Sequence, residues 1–385
     1  MLKGTNQETG RPFNKRIVLE LIRRRGPIAR TDIADSVGLT VQTVSTIVRE
    51  LEEDGFLVSE REQPKGRGVP PSKLAVNPDG GFAIGVYITP LSVEAALINL
   101  RGDILARVRR DAERATPDEG FALIRDLVAE LRAADPARRL LGVGMAMPGP
   151  FGVESMSFIG STTMAGWQGT EILGRLADAT GLAAFVETDM AAAALCEQLY
   201  GRGTALRDYY YLFFGVGLGG TMVHDGEVLR GNWGNAGELG HITVVPDGEP
   251  CFCGNRGCLE RYVSLEALRR SGLGEAAWAK AVDPLFRQAV RTIENLFDPE
   301  TIVVGGYAPA GLLDTVTAPG ADFGNSIAVR RDRSLPRVVV ASGGEGGEAV
   351  LRGAAALAVR GALSPRQGQM FGPELTRIGG REVRA

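Results

Sequence analysis

His241, Cys251, Cys253 and Cys258 lie within one short stretch, residues 237–260, which also carries Glu238 and Glu260. One imidazole and three thiolates are a complete tetrahedral ligand set for zinc, so any fold of this chain must bring these four side chains to a point. Gly254 and Gly257 let the backbone turn sharply enough to do so. The set is closed, with no ligand position left for substrate, so it predicts a structural Zn2+, one per chain, rather than a catalytic one. Cys196 stands apart in an Ala-rich segment and reads as a buried apolar residue. The 385-residue chain has no long apolar run, and its first residues lack the apolar core of a signal peptide. A cytoplasmic protein with reduced cysteines is therefore expected.

Charge is uneven along the chain. Residues 1–80 carry 13 Lys and Arg against 11 Asp and Glu, while the remainder carries 30 against 35. The slightly basic end also has a distinctive pattern. Residues 14–25 predict an amphipathic helix with Ile17, Val18, Leu21 and Ile22 on one stripe, ended by Gly26-Pro27. Thr31 is the expected cap of a short second helix carrying Ile33, Ala34 and Val37, and Gly38 supplies a turn. Thr40 is the expected cap of a third helix with Val41, Val44, Ile47, Val48 and Leu51 inward. Its other face shows Gln42, Thr43, Ser45, Thr46 and Arg49, groups able to reach phosphates and base edges in a major groove. Two short strands around the basic tip bearing Lys65 and Arg67 complete a wing. These pieces predict a winged helix-turn-helix over residues 1–78, with DNA as partner.

From Gly80 the pattern becomes α/β. Residues 82–88, 92–99 and 104–110 read as a strand meander, followed by a helix at 121–134 and a buried strand at 141–147. A helix at 170–180, a strand at 183–187 and an Ala-rich helix at 189–200 follow, then strands at 209–214 and 220–224 around a glycine loop. A helix at 283–296 leads to a strand at 301–304. The winged helix-turn-helix, Pro148-Gly149-Pro150, Glu187-Thr188-Asp189, Gly215–Gly220, residues 236–241, the Cys cluster and Asp298-Pro299 with Gly305-Gly306 together resemble the ROK family of repressors, open reading frames and sugar kinases, nearly end to end. The resemblance implies an actin-like, ribonuclease H-like two-lobed sugar-kinase fold, assembled as a homodimer or homotetramer. It divides the chain into lobes at 79–190 and 191–385, the last helix able to return to the first lobe.

The resemblance also implies a sugar between the lobes, held by Thr188, Asp189, Glu238, His241 and Glu260. Thr188 stands where the family usually has Asn. Ser161 or Thr162 could add a contact. His241 would then serve both metal and sugar. The position of Asp189 is that of the kinase base, but the phosphate loops depart from the kinase pattern. Tyr87 replaces an acid, Thr89-Pro90 replaces a glycine pair, and Val216 replaces a Thr. Proline has no N–H to offer a phosphate. The expectation is a sugar-responsive repressor of carbohydrate uptake or catabolism, not an enzyme. The alternatives are an ATP-dependent sugar kinase that also binds DNA, and a regulator controlled by a protein partner.

Overall fold

The computed structural model describes residues 11–61, 72–149, 164, 166–318, 322–330, 333–344 and 347–363. It opens on three helices, α1 (Arg11–Arg25), α2 (Arg30–Val37) and α3 (Val41–Glu53), and an antiparallel pair, β1 (Leu57–Arg61) and β2 (Ser72–Val76). Gly38, at φ 69°, makes the left-handed turn between α2 and α3. The Thr40 hydroxyl caps α3 by accepting from the Thr43 N–H. Val44, Ile47, Val48 and Leu51 are buried as the period requires, but Val41 is 47% exposed, because the first turn of α3 projects past the small core. Thr31 is not the cap of α2. The helix begins two residues earlier, at Arg30 after Ala29, which makes no side-chain cap. Buried residues of α1 are Ile17, Val18, Leu19 and Ile22 rather than a single stripe, because α1 touches α2, α3 and the body at once.

The body contains two five-stranded sheets. The first is built from β3 (Phe82–Ile88), β4 (Ser92–Asn99), β5 (Ile104–Asp111), β6 (Leu140–Met147) and β7 (Ala184–Thr188), in the order β5-β4-β3-β6-β7. Helices α4 (Pro117–Ala133), α5 (Ile172–Thr180) and α6 (Asp189–Tyr200) belong to the same stretch. The second sheet is built from β8 (Tyr209–Phe214), β9 (Leu218–His224) and β10 (Glu227–Val228), then, after α7 (Leu265–Ser271) and α8 (Glu275–Phe297), β11 (Thr301–Gly306). Helix α9 (Ala310–Val316), β12 (Val338–Val340) and α10 (Glu348–Leu363) complete it, with strand order β10-β9-β8-β11-β12. Both sheets join three antiparallel strands to two parallel ones in the same pattern. The architecture is thus a duplicated unit, although no repeat is visible in the sequence.

Helices α4 and α5 cover the outer face of the first sheet, with Phe121, Ile124, Leu127 and Trp167 packed on β3 and β6. Helices α7, α8 and α9 cover the outer face of the second. Helices α6 and α10 fill the space between the sheets, where Ala191–Ala194 and Cys196 meet Tyr87 and Ala146 on one side and Tyr209 and Tyr211 on the other. Strands β3 and β8 are therefore buried on both faces, which explains their unbroken apolar runs. Helix α8 starts at Glu275, ahead of the expected 283. Pro284 reads as a breaker in sequence, yet burial of Trp278, Ala279 and Val282 holds the turns before it. Among the described residues no helix is long and apolar enough to cross a membrane.

Glycine sets the thickness of the central layer. A Cβ at Gly353 of α10 would overlap the Ala192 carbonyl of α6, and one at Gly144 of β6 would overlap the Ala354 carbonyl. Gly353→Ala should destabilise the protein by about 3 kcal/mol, since the atom it meets is backbone. Gly311→Ala, in α9 with open space around it, should be neutral or stabilising by up to about 1 kcal/mol. Urea unfolding of the two variants checks the pair, and similar midpoints would contradict this account.

Candidate functional site

Strand β7 ends at Thr188 and α6 starts at Asp189, so both residues stand at the carboxyl end of a strand and the N-terminus of a helix, a usual place for ligands in α/β sheets. The Thr188 hydroxyl accepts from the Ala191 N–H at 3.2 Å and caps α6. A Thr at this position therefore has a local task, and its remaining hydroxyl proton can be donated. One Asp189 oxygen accepts from the Met190 N–H at 2.8 Å, and the other accepts from the Tyr87 hydroxyl at 3.2 Å. Burial pushes the Asp189 carboxyl up to about 7, the nearby Glu238 carboxylate adding to the rise.

Glu238 and Glu260 come from the segment between β10 and α7, Glu238 just before a short 3-10 turn at 239–241 and Glu260 within another at 259–261. Glu260 accepts from the Leu218 N–H at 2.8 Å, and the absence of a side chain at Gly217 makes room for its carboxylate. Burial raises the pKa of Glu238, and burial with the Glu238 charge pushes Glu260 up to about 7. The two perturbations by Glu238 mark one electrostatic unit of three carboxyls. Thr188 and Glu238 also line one small cleft, together with Glu187 and Arg230. Glu187 is buried, pairs with Arg230 and accepts from the Thr188 N–H. This ion pair beside the cleft was missed in the sequence, because nothing in the spacing of residues 187 and 230 links them.

His241 ends the first 3-10 turn and Cys258 precedes the second. A bridge between Thr243 and Cys258, and another between Pro250 and Arg256, fold the intervening loop back on itself. Gly254 and Gly257 have φ of 90° and 72°, conformations that an L side chain rarely adopts. The ligand atoms of His241, Cys251, Cys253 and Cys258 all lie within 4.8 Å of one another. His241 Nδ1 is 3.6 Å from Cys251 Sγ, and Cys253 Sγ is 3.6 Å from Cys258 Sγ. That spacing is the edge of a tetrahedron with arms of about 2.2–2.3 Å, so the donors fit a tetrahedral metal ion. Burial and the crowding of its neighbours push the Cys258 thiol up to about 12, so a cation is what would hold three thiolates here. With Nδ1 turned to the cluster, Nε2 of His241 is the nitrogen left for another partner.

An aromatic group lies beside Asp189. Tyr87 is buried and stacks on Tyr307 with ring centroids 6.1 Å apart, and Phe213 meets Tyr307 edge-on at 6.2 Å. In the β3–β4 turn the Thr89 hydroxyl accepts from the N–H groups of Leu91 and Ser92, at 3.2 and 3.1 Å. The backbone donors of that turn are therefore already used.

On the reading helix α3, Gln42 and Arg49 are exposed and Thr43, Ser45 and Thr46 half-exposed on one side. Thr43 bonds to Thr40 and Thr46 to the Gln42 carbonyl, so Gln42 and Arg49 are the longest reaches. Lys65, Arg67, Ser161 and Thr162 lie outside the described residues.

An acid whose pKa is raised on folding contributes stability that is present below its ordinary value of 3.8 and lost as pH climbs through about 7. Asp189→Asn should therefore gain about 1–2 kcal/mol over the parent near pH 8 and little near pH 4. Urea unfolding at both pH values checks this, and an equal gain at both would refute it.

Similarity to known proteins agrees with this geometry. A profile described as winged helix-turn-helix DNA-binding matches residues 14–58, and the ROK family profile matches residues 83–360. The xylose repressor of Caldicellulosiruptor bescii is 30% identical over 264 residues, which span 66% of this chain and 65% of that relative. The crystal structure of a ROK family transcriptional regulator, a homologue of the Escherichia coli MLC protein, superposes with a TM-score of 0.70 at 25% identity, over 96% of this chain and 99% of that one. A ROK family glucokinase from Streptomyces griseus, solved with glucose and AMPPNP, gives a TM-score of 0.56 at 26% identity, over 73% of this chain and 100% of that one. With a family match over most of its length and a helix-turn-helix ahead of it, this chain belongs to the ROK family.

Proposed function

We propose that this chain is a sugar-responsive transcriptional repressor of carbohydrate uptake or catabolism whose kinase-like body has lost phosphoryl transfer. The observation that carries the reading is the Tyr87 hydroxyl bonded to Asp189. The residue at the position of the kinase base is thus engaged by the side chain that stands where kinases of the family carry an acid, while α3, with its exposed polar face, stands near the other end of the chain. Similarity to a protein named xylose repressor supports the same assignment and makes D-xylose the first sugar to test.

In this reading Thr188, Asp189, Glu238, Glu260 and Nε2 of His241 hold the hydroxyls of the sugar between lobes at 79–190 and 191–385. Carboxylates accept from vicinal hydroxyls, and Thr188 and His241 donate. Zn2+ on His241, Cys251, Cys253 and Cys258 braces the loop between Glu238 and Glu260, so metal binding and sugar binding share one element. Gln42, Thr43, Ser45, Thr46 and Arg49 contact the operator, with Lys65 and Arg67 on the wing. A homodimer or homotetramer places two reading helices on a pseudo-palindromic site, and the sugar shifts the population between two lobe arrangements.

DNA from upstream of the gene and its neighbours should be retarded by the purified protein and respond to one member of a sugar panel. Arg49→Ala should weaken DNA binding about tenfold or more while sugar affinity holds. Glu238→Gln should do the reverse. ATP turnover with any sugar of the panel would overturn the loss of phosphoryl transfer, and absence of DNA binding at low salt would overturn the repressor. Metal analysis should give about one zinc per chain, and a chelator that removes it should lower sugar affinity more than DNA affinity.

A further inference from the structure

The winged helix unit is not tethered by a free linker. It is tied to the far end of the same helix whose first turn lines the ligand cleft. Helix α6 runs from Asp189 to Tyr200, and its last turn exposes the Leu199 carbonyl to α1, where Arg23 Nη1 donates to it at 2.9 Å. Arg23 is held for this by Glu20, one turn back, through two hydrogen bonds of 2.8 and 2.7 Å. The Arg23 side chain is only 7% exposed. A fork fixed on both sides in this way sets direction as well as distance.

Two further elements reach the same place. Arg360 of α10, 8% exposed, pairs with Glu227 of β10 at 2.5 Å and donates to the Gly226 carbonyl at 3.2 Å. Gln198 of α6 donates to the same carbonyl at 2.5 Å. Strand β10 continues into the segment that carries Arg230 and Glu238 back to the cleft. The junction therefore joins α1, α6, α10 and the edge of the second sheet, and two of these elements begin or end at the ligand cleft. Beside it, a cavity of about 380 Å³ separates Ile17, Leu21 and Val37 of the winged helix unit from Leu206 and Arg207 of the body. A second cavity of about 270 Å³, lined by Ile22, Arg23, Leu199 and Tyr200, lies at the same junction, so the two together leave α1 space in which to tilt.

We propose that Arg23 is a positioning residue for the sugar response: it transmits movement of α6 at the ligand cleft to α1 and so to the reading helix. Ligand closure on Asp189 shifts α6 as a rigid rod, since it is packed between the sheets along its whole length. The Arg23 fork makes α1 follow its far end. Without the fork, the apolar seam between α1 and the body still holds the two together but no longer specifies their angle. This inference rests on the proposed sugar-responsive repressor.

The test is a coupling measurement with the full chain. DNA affinity is measured with and without the sugar that acts on the parent, and sugar affinity is measured alone. In Arg23→Met the ratio of the two DNA affinities should fall at least fivefold towards one, with sugar affinity within about twofold of the parent. Arg23→Lys, which keeps one donor, should recover part of the ratio. Arg25→Met, at an exposed neighbour, should keep all of it. A merely structural Arg23 would lower stability and both DNA affinities together and leave their ratio alone, which would overturn the proposal. If Arg23→Met does not fold, Glu20→Gln frees the fork while keeping its size and should lower the ratio in the same way. A parent whose DNA affinity no sugar changes overturns the repressor reading together with this inference. A responsive parent with an equally responsive Arg23→Met overturns the inference alone.

Discussion

The close approach of α6 to α10 is the constraint on which the remaining architecture depends. Gly353 lets the backbone of one helix touch the Ala192 carbonyl of the other, and Gly85 and Gly144 let α10 lie directly on β3 and β6. With small residues at these crossings, two helices fit between two sheets as a single thin layer. Larger residues would separate the sheets and pull apart the carboxyls that come from each side. The carboxyl-lined cleft is in this sense a product of glycine and alanine in the middle of the molecule rather than of its own polar residues.

Within that frame, one helix start and two short turns assemble the polar groups. Thr188 caps α6, Asp189 opens it, and Glu238 precedes and Glu260 sits within 3-10 turns joined by the His/Cys loop. Burial raises the pKa of all three carboxyls, so the cleft holds charge at a cost that hydrogen-bond donors would offset. The aromatic group of Tyr87, Tyr307 and Phe213 sits next to them. Its Tyr87 hydroxyl occupies one Asp189 oxygen, while the other accepts from the Met190 N–H.

Much of this was legible in the chain. Apolar periodicity gave β3 and β4, α6 and β8 to the residue, because each is either a clean strand run or an Ala-rich segment between turns. The cluster of His241, Cys251, Cys253 and Cys258 was legible because one imidazole and three thiols in one loop have few uses other than holding a metal. The duplication of the two sheets was not legible, since it is a match of topology between strands with unrelated side chains. Nor was the Tyr87–Asp189 bond, which joins residues 102 positions apart. Tyr87 could be seen only as a missing acid, and its hydroxyl's partner depends on how the sheet and α6 meet. Leu21 was misread for a related reason: it is only half-buried while Leu19 is inside, because the small N-terminal unit is packed against the body, which alters which faces of α1 are inside.

That packing bears on how such proteins diversify. Ile17, Val18, Leu19 and Ile22 share one core with Ala83, Ile98, Ala355 and Val359, so the apolar interior of the winged helix unit is continuous with that of the body. Its specificity for a new target can change through the outer side chains of α3 without touching that shared interior. Exchange of the whole unit between relatives is a different matter, because a graft would bring a seam shaped for another α10. Gene fusion or domain shuffling would have to move α1 and the end of α10 as a matched pair, which are separated by most of the gene. Lineages of this architecture are thus expected to acquire new targets by point substitution on one helix face, with the two halves inherited together.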